Sequence, residues 1–147
     1  MKRSEMFEKI DHIGIAVRSV AEVKKLFKTV FRLEPVFEEL IEDQKVKVVG
    51  FKIGESNLEF LEPTEPSSPI MKFLEKRGEG IHHFALEVDD IQSVMSDMKS
   101  HNLHLIDEKP REGAEGKQIA FVHPKSMHGI LLELSQEKSD IKENEIS

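Results

Sequence analysis

The chain has 147 residues, 38% hydrophobic and 33% charged, which suits one compact domain and is too short for two large ones. Its net charge of −7, with no Trp and no Tyr, argues against a nucleic-acid surface, and the absence of Cys excludes disulfides, thiolate metal ligands and cysteine nucleophiles. The start contains no apolar signal segment, and no apolar run reaches the roughly 18 residues of a membrane span. These features predict a cytoplasmic protein with neither a nucleic-acid nor a membrane partner.

The first predicted elements are a strand and a helix. Residues 12–17 (HIGIAV) alternate as a strand does, and Ser19-Val-Ala-Glu22 is a capping box that begins a helix. Apolar residues at helical spacing predict the buried stripe of this helix: Val20, Val23, Leu26, Phe27 and Val30.

Two strands and a linker follow. Residues 45–53 and 58–61 have the composition of strands, and Gly54-Glu-Ser separates them as a turn. Residues 63–80 are rich in Pro and Ser, and we interpret them as a linker that contains a short helix over 69–76.

The second half repeats this order of elements. Residues 83–88 (HFALEV) again form a strand that begins with His, and Asp89-Asp90 is a helix N-terminus. Strands are predicted over 119–122 and 130–134. The predicted buried stripe of the second helix is Ile91, Val94, Met95 and Met98.

The repeat defines the predicted fold class. His12 and His83 lie 71 positions apart, and Glu59 and Glu133 lie 74 apart, so the correspondence extends along the whole unit. The sequence therefore predicts an α+β fold made of two βαβββ modules. The predicted boundaries are a single domain over 7–136, with module one at about 9–62, the linker at 63–80, module two at about 81–135, and a flexible acidic tail over 137–147.

The four repeated polar residues predict a metal site. By strand alternation His12, Glu59, His83 and Glu133 point away from the faces that the helices should cover, whereas His82 points toward a helix and has a structural role. Two carboxylates buried together are costly without a cation. Nitrogen and oxygen ligands suit Co, Zn, Mn, Ni or Fe without distinguishing among them, so we expect one divalent ion per chain.

At these residues the sequence resembles the vicinal-oxygen-chelate (glyoxalase-like) superfamily, and within it most closely the methylmalonyl-CoA epimerases. The resemblance runs from about residue 10 to 136. The segments that carry it are DHIGIAV (11–17), NLEFLEP (57–63), GEGIHHFALEVDDI (78–91) and GKQIAFVHPKSMHGILLEL (116–134).

The resemblance implies a cup-shaped mixed sheet, usually a homodimer, and interconversion of the 2R and 2S forms of methylmalonyl-CoA through a metal-stabilised enediolate. It assigns the metal ligands to the four residues named above and makes Glu133 the catalytic base. The second acid/base is Glu59 or a residue that the sequence does not identify. Val48 occupies the place where one proposed mechanism has a glutamate. The phosphates of coenzyme A need a basic rim, for which the loops beside the last strands offer Arg111, Lys117 and Lys125.

Two other functions fit the same fold. A glyoxalase I-type lyase, acting on a glutathione or other thiol hemithioacetal, uses a similar set of His and Glu ligands. A metal-free ligand-binding or resistance protein needs no such set, so the presence of all four residues argues against it.

Overall fold

The structure is a computed structural model that describes residues 6–138. The chain divides into two compact units. The N-terminal unit is His12–His82, and the C-terminal unit comprises, of the described residues, 6–11 and 83–138. The flexible tail predicted over 137–147 lies outside the described residues from position 139 onward. Within residues 6–138 no helix combines the length and apolarity needed to cross a bilayer.

The N-terminal unit contains a sheet in the order β2-β3-β4-β1. Strands β1 and β4 are parallel, while β3 is antiparallel to both β4 and β2. This parallel pairing joins the first and last strands of the module, as a βαβββ unit requires. The elements are β1 (Phe7–Ala16, of which residues 12–16 lie in this unit), α1 (Val20–Leu26), β2 (Phe37–Ile41), β3 (Val46–Ile53), β4 (Ser56–Pro63) and α2 (Pro69–Arg77).

The C-terminal unit repeats this topology in the order β5-β8-β7-β6. Strands β5 and β8 are parallel, while β7 is antiparallel to both β8 and β6. The elements are β5 (Gly80–Val88), α3 (Ile91–Ser100), β6 (Arg111–Glu112), β7 (Gln118–Val122) and β8 (Leu132–Gln136). The predicted fold class, α+β with two βαβββ modules, is confirmed.

Strands β2 and β6 complete the two modules but were not located by sequence pattern. Strand β2 carries adjacent acids, Glu38 and Glu39, which interrupt the apolar alternation expected of a strand. Strand β6 has only two residues and is held by its pairing with β7. Both strands are stabilised by backbone hydrogen bonds to a neighbouring strand, and sequence periodicity does not reveal this pairing.

Helix α1 begins where the sequence predicts, but its buried stripe is shorter than expected. The Ser19 hydroxyl accepts a hydrogen bond from the Glu22 amide at 3.2 Å, as a capping residue does. The α-helix changes at residue 27 into a π-helical turn, whose residues are wound more loosely and rotate the next side chains out of line. Val30, within this turn, is 60% exposed, and Leu26, the last residue of α1, is 47% exposed, so the predicted burial of both was wrong.

Phe27 remains the anchor of this helix. Its ring stacks on Phe51 with centroids 4.2 Å apart and meets Phe60 edge-on at 5.4 Å. Aromatic pairs in these geometries add to the burial of their apolar area. They fix α1 on the sheet of the N-terminal unit.

Helices α2 and α3 match their predictions closely. Asp90 caps α3 by accepting the Ser93 amide at 3.3 Å. Helix α2 carries Phe73, whose ring meets His82 edge-on at 5.0 Å, in agreement with a helix-facing structural role for that histidine. All four residues of the stripe predicted for α3 are buried: Ile91, Val94, Met95 and Met98.

The different burial of two leucines gives a stability prediction. Leu134 of β8 is fully buried in the core beneath α3, so Leu134→Ala should lower the free energy of unfolding by roughly 2–5 kcal/mol through lost contacts and a cavity. Leu26→Ala removes the same atoms from a half-exposed side chain and should cost less than about 1 kcal/mol. Urea unfolding followed by circular dichroism measures both, and equal losses would contradict the structure.

Candidate metal-binding site

The N-terminal unit buries a histidine beside a glutamate. His12 and Glu59 are each 5% exposed, and His12 Nδ1 lies 3.3 Å from Glu59 Oε2. Strands β1 and β4 bring them together, because Gly14, two positions after His12, is the register partner of Glu59. Register partners lie on the same face of a sheet, and so do residues two apart in one strand, so Glu59 and His12 share a face.

The C-terminal unit contains the equivalent pair. His83 and Glu133 are 6% and 5% exposed, and His83 Nε2 lies 3.1 Å from Glu133 Oε1. The register of β5 and β8 places Glu133 opposite Ala85, again a small residue two positions after the histidine. The duplication inferred from spacing therefore extends to the register of the strands and to the contact between the two side chains.

Each pair supplies one nitrogen donor and one oxygen donor, which is half of a four-ligand metal site. A carboxylate buried to this degree needs a positive partner, and an imidazole nitrogen with a carboxylate oxygen is a donor set that divalent transition metals accept. A further ring orients His83, since Phe121 meets it edge-on with centroids 5.6 Å apart. The residues present fit a divalent ion of the predicted class.

Lys117, a predicted phosphate contact, is engaged elsewhere. Its side chain is only 12% exposed, and its ammonium donates to Asp11 Oδ1 at 2.9 Å and lies 3.6 Å from a Glu137 oxygen. Burial lowers the pKa of Lys117, but the attraction of Asp11 outweighs it and the net pKa is raised above its usual range. These ion pairs hold Lys117 within the C-terminal unit, and its contact with a coenzyme A phosphate stays a prediction.

The remaining predicted residues occupy different environments. Lys125 is exposed in a short turn, where its amide donates to His123 Nδ1 at 3.0 Å. Arg111 is partly exposed and lies over the ring of Phe121. Val48 is 3% exposed within β3 and offers no acid or base. For Arg111 and Lys125, contact with phosphate stays a prediction.

Sequence reasoning missed a carboxylate cluster in the C-terminal unit. Ligand oxygens of Asp11, Glu87 and Glu137 all lie within 4.8 Å of one another. Burial, a hydrogen bond with Glu137 and the charge of Asp11 raise the pKa of Glu87 to about 7, although Lys9 acts in the opposite direction. The available signal was strand alternation, which places Glu87 on the same face of β5 as His83.

The raised pKa of Glu87 predicts a pH-dependent stability. The folded state holds this proton up to about pH 7, whereas an ordinary glutamate releases it near 4.5, so stability falls as the pH rises through that interval. Glu87→Gln should flatten the decline between pH 5 and 8 and raise the unfolding free energy at pH 8 by about 1–3 kcal/mol. Thermal melts across that range measure it, with the exposed Glu112→Gln as control. A slope unchanged by Glu87→Gln would contradict the assignment.

Comparison with protein families gives one match over most of the chain. Residues 11–121 match the model of the Glyoxalase/Bleomycin resistance protein/Dioxygenase superfamily. The matched range includes His12, Glu59 and His83, while Glu133 lies beyond its end.

Individual proteins match over a similar length. The chain is 39% identical over 132 residues to the uncharacterized protein YqjC of Bacillus subtilis, with 90% of this chain and 94% of that protein covered. It is also 39% identical over 132 residues to the mitochondrial methylmalonyl-CoA epimerase of Dictyostelium discoideum, with 87% and 78% covered. Among solved structures, a variant of the Streptomyces coelicolor methylmalonyl-CoA epimerase in complex with 2-nitronate-propionyl-CoA has a TM-score of 0.87 at 34% identity, covering 90% of this chain and 96% of that one.

Proposed function

This chain belongs to the Glyoxalase/Bleomycin resistance protein/Dioxygenase superfamily, and on that premise we propose that it is a metal-dependent epimerase that interconverts (2R)- and (2S)-methylmalonyl-CoA. The observation that carries the proposal is the buried His–Glu pair repeated at equivalent register in both units. The epimerases among its relatives, and a relative bound to an acyl-CoA analogue, support the choice of substrate class.

The metal ligands of the proposed enzyme are His12, Glu59, His83 and Glu133, acting together on one ion of Co, Zn, Mn, Ni or Fe. Support for a shared ion comes from the duplication, since each unit supplies one nitrogen and one oxygen donor. When bound, such an ion supplies Lewis-acid polarisation of substrate oxygens.

Proton transfer is the task of the chain's own carboxylates. Epimerisation removes the proton from C2, between the thioester and the carboxylate, and returns a proton to the opposite face. Glu133 is the proposed base: it is buried, and the imidazole of His83 holds one of its oxygens at 3.1 Å. Glu59, equally buried in the other unit, is the candidate that returns the proton to the second face.

Three further features of the proposed enzyme are its contact with the coenzyme A phosphates, its oligomeric state and its cellular location. Lys125, exposed beside β7, is the candidate for a coenzyme A phosphate. A homodimer and a cytoplasmic location complete the proposal, and both stay predictions.

Exchange of the C2 proton tests this function directly. Metal-loaded protein in deuterated water should incorporate deuterium at C2 of methylmalonyl-CoA and convert either epimer into a mixture of both, as nuclear magnetic resonance would show. A parallel assay with glutathione and bacillithiol hemithioacetals examines the lyase function. Isomerisation of a hemithioacetal without exchange at C2 would assign the protein to the glyoxalase I-type reaction instead.

A further inference from the structure

The side chain of Arg111 is held in one orientation within the C-terminal unit. Its Nε lies 3.1 Å from Asp107 Oδ1, and its guanidinium carbon lies over the Phe121 ring at 5.6 Å from the centroid. The other oxygen of Asp107 accepts the Phe121 amide at 2.8 Å. One carboxylate therefore ties the arginine to the strand on whose aromatic ring it stacks.

Of the three guanidinium nitrogens, only Nε lies close to the Asp107 carboxylate. The arginine side chain is 36% exposed, and its Nε forms an ion pair with Asp107 without the geometry of a hydrogen bond. Within residues 6–138 the side chain makes no other ion pair or hydrogen bond. Arginine has five N–H donors in a planar fork, so the two terminal amino groups remain available to a ligand. A fixed plane with an open pair of parallel donors is the geometry that binds an oxyanion in bidentate fashion.

Arg111 and His83 have an aromatic neighbour in common, Phe121, whose ring contacts both. The centroid of the Phe121 ring lies 5.6 Å from that of the His83 ring, which it meets edge-on, and the Arg111 guanidinium stacks on its face. Register places Phe121 opposite Glu133, so their side chains share one face of the sheet. Arg111, paired with Ile119 two positions before Phe121, belongs to the same face. A single aromatic ring thus separates the arginine from a proposed metal ligand.

We propose that Arg111 binds the free carboxylate of the acyl group and thereby selects malonyl-type thioesters, an inference that rests on the proposed function. In such a substrate the carboxylate is attached to the carbon that loses its proton, so it must lie beside Glu133. The phosphates of coenzyme A are separated from that carbon by the whole pantetheine arm. The contact of Phe121 with His83 therefore favours the carboxylate over a phosphate as the ligand of Arg111.

Two fragments of the substrate distinguish these sources of negative charge. The methylmalonyl thioester of N-acetylcysteamine has the carboxylate but no phosphate, whereas coenzyme A has the phosphates but no acyl carboxylate. In calorimetric titrations of the metal-loaded protein, Arg111→Gln should weaken binding of the thioester by roughly 10- to 100-fold, the usual effect of losing a hydrogen bond to a charged group. Its affinity for coenzyme A should change by less than about twofold.

Arg111→Lys and a change at the nearby exposed Lys109 serve as comparisons. Lysine keeps the charge and can still pair with Asp107 but lacks the fork, so thioester binding should weaken by about 3- to 10-fold even if the glutamine variant folds poorly. Lys109→Gln removes one exposed positive charge two positions away and should leave both affinities unchanged. With methylmalonyl-CoA, the two Arg111 variants should raise KM more than they lower kcat.

The outcomes separate this inference from the proposed function. Wild-type protein that neither exchanges the C2 proton nor binds the thioester overturns both. Wild-type protein that exchanges the proton, combined with Arg111→Gln that binds the thioester as tightly, overturns only the role of Arg111. Weakened affinity for coenzyme A with unchanged affinity for the thioester would make Arg111 a phosphate contact and likewise overturn the inference.

Discussion

Glu133→Gln should lower kcat for epimerisation of methylmalonyl-CoA by roughly 10²- to 10⁴-fold, the usual contribution of a positioned acid/base group. Glutamine has the size and one oxygen of glutamate, so it can occupy the same place on β8 beside Ala85. It cannot take up the C2 proton as a carboxylate does. The rate of deuterium incorporation at C2 measures the loss, because deuterium can enter C2 only after the C2 proton has been removed.

The metal content of both the wild-type and the Glu133→Gln protein must be measured. Glu133 is also a proposed metal ligand, so the ion must be quantified on the same sample and the comparison made between equally metallated proteins. Glu108→Gln replaces an exposed carboxylate of the same unit and should leave kcat unchanged. If fully metallated Glu133→Gln exchanges the C2 proton at the wild-type rate, another residue is the base.

Loss of metal from His83→Ala is the second large effect expected. The wild-type chain should hold about one divalent ion, and chelation should lower its melting temperature by roughly 5–10 °C, since an ion bound only to the folded state at 100 times its dissociation constant contributes about 2.7 kcal/mol. His83→Ala should retain little of the ion and lose most of this dependence on the chelator, because it removes a nitrogen ligand and leaves Glu133 without its 3.1 Å partner.

Two further variants complete the metal experiment. His12→Ala should lose the ion as His83→Ala does if the two units share one site. His101→Ala removes an exposed histidine of the C-terminal unit and should retain the wild-type metal content. Wild-type protein holding less than about a tenth of an equivalent after loading with Co, Zn, Mn or Ni would contradict the metal site, and metal content unaffected by either substitution would make these histidines structural.

Features that depend on local periodicity could be predicted from the sequence. Strand alternation and the similar spacings of 71 and 74 residues predicted that each module brings one histidine and one glutamate to the same face, and the contacts at 3.3 and 3.1 Å agree. The stripe of α3 and the cap at Ser19 were equally predictable, since a regular helix repeats every 3.6 residues and a capping side chain bonds an amide of its own first turn.

The exposure and the partners of several side chains depend on residues distant in sequence, and only the folded structure reveals them. The π-helical turn after α1 turned Val30 toward solvent, although its spacing predicted burial. Lys117, predicted from its charge as a phosphate contact, pairs with Asp11, 106 positions away, because that buried carboxylate needs a cation. The orientation of Arg111 likewise follows from its ring and carboxylate partners. Local pattern predicts the face on which a side chain lies, whereas its partner depends on how the chain brings distant segments together.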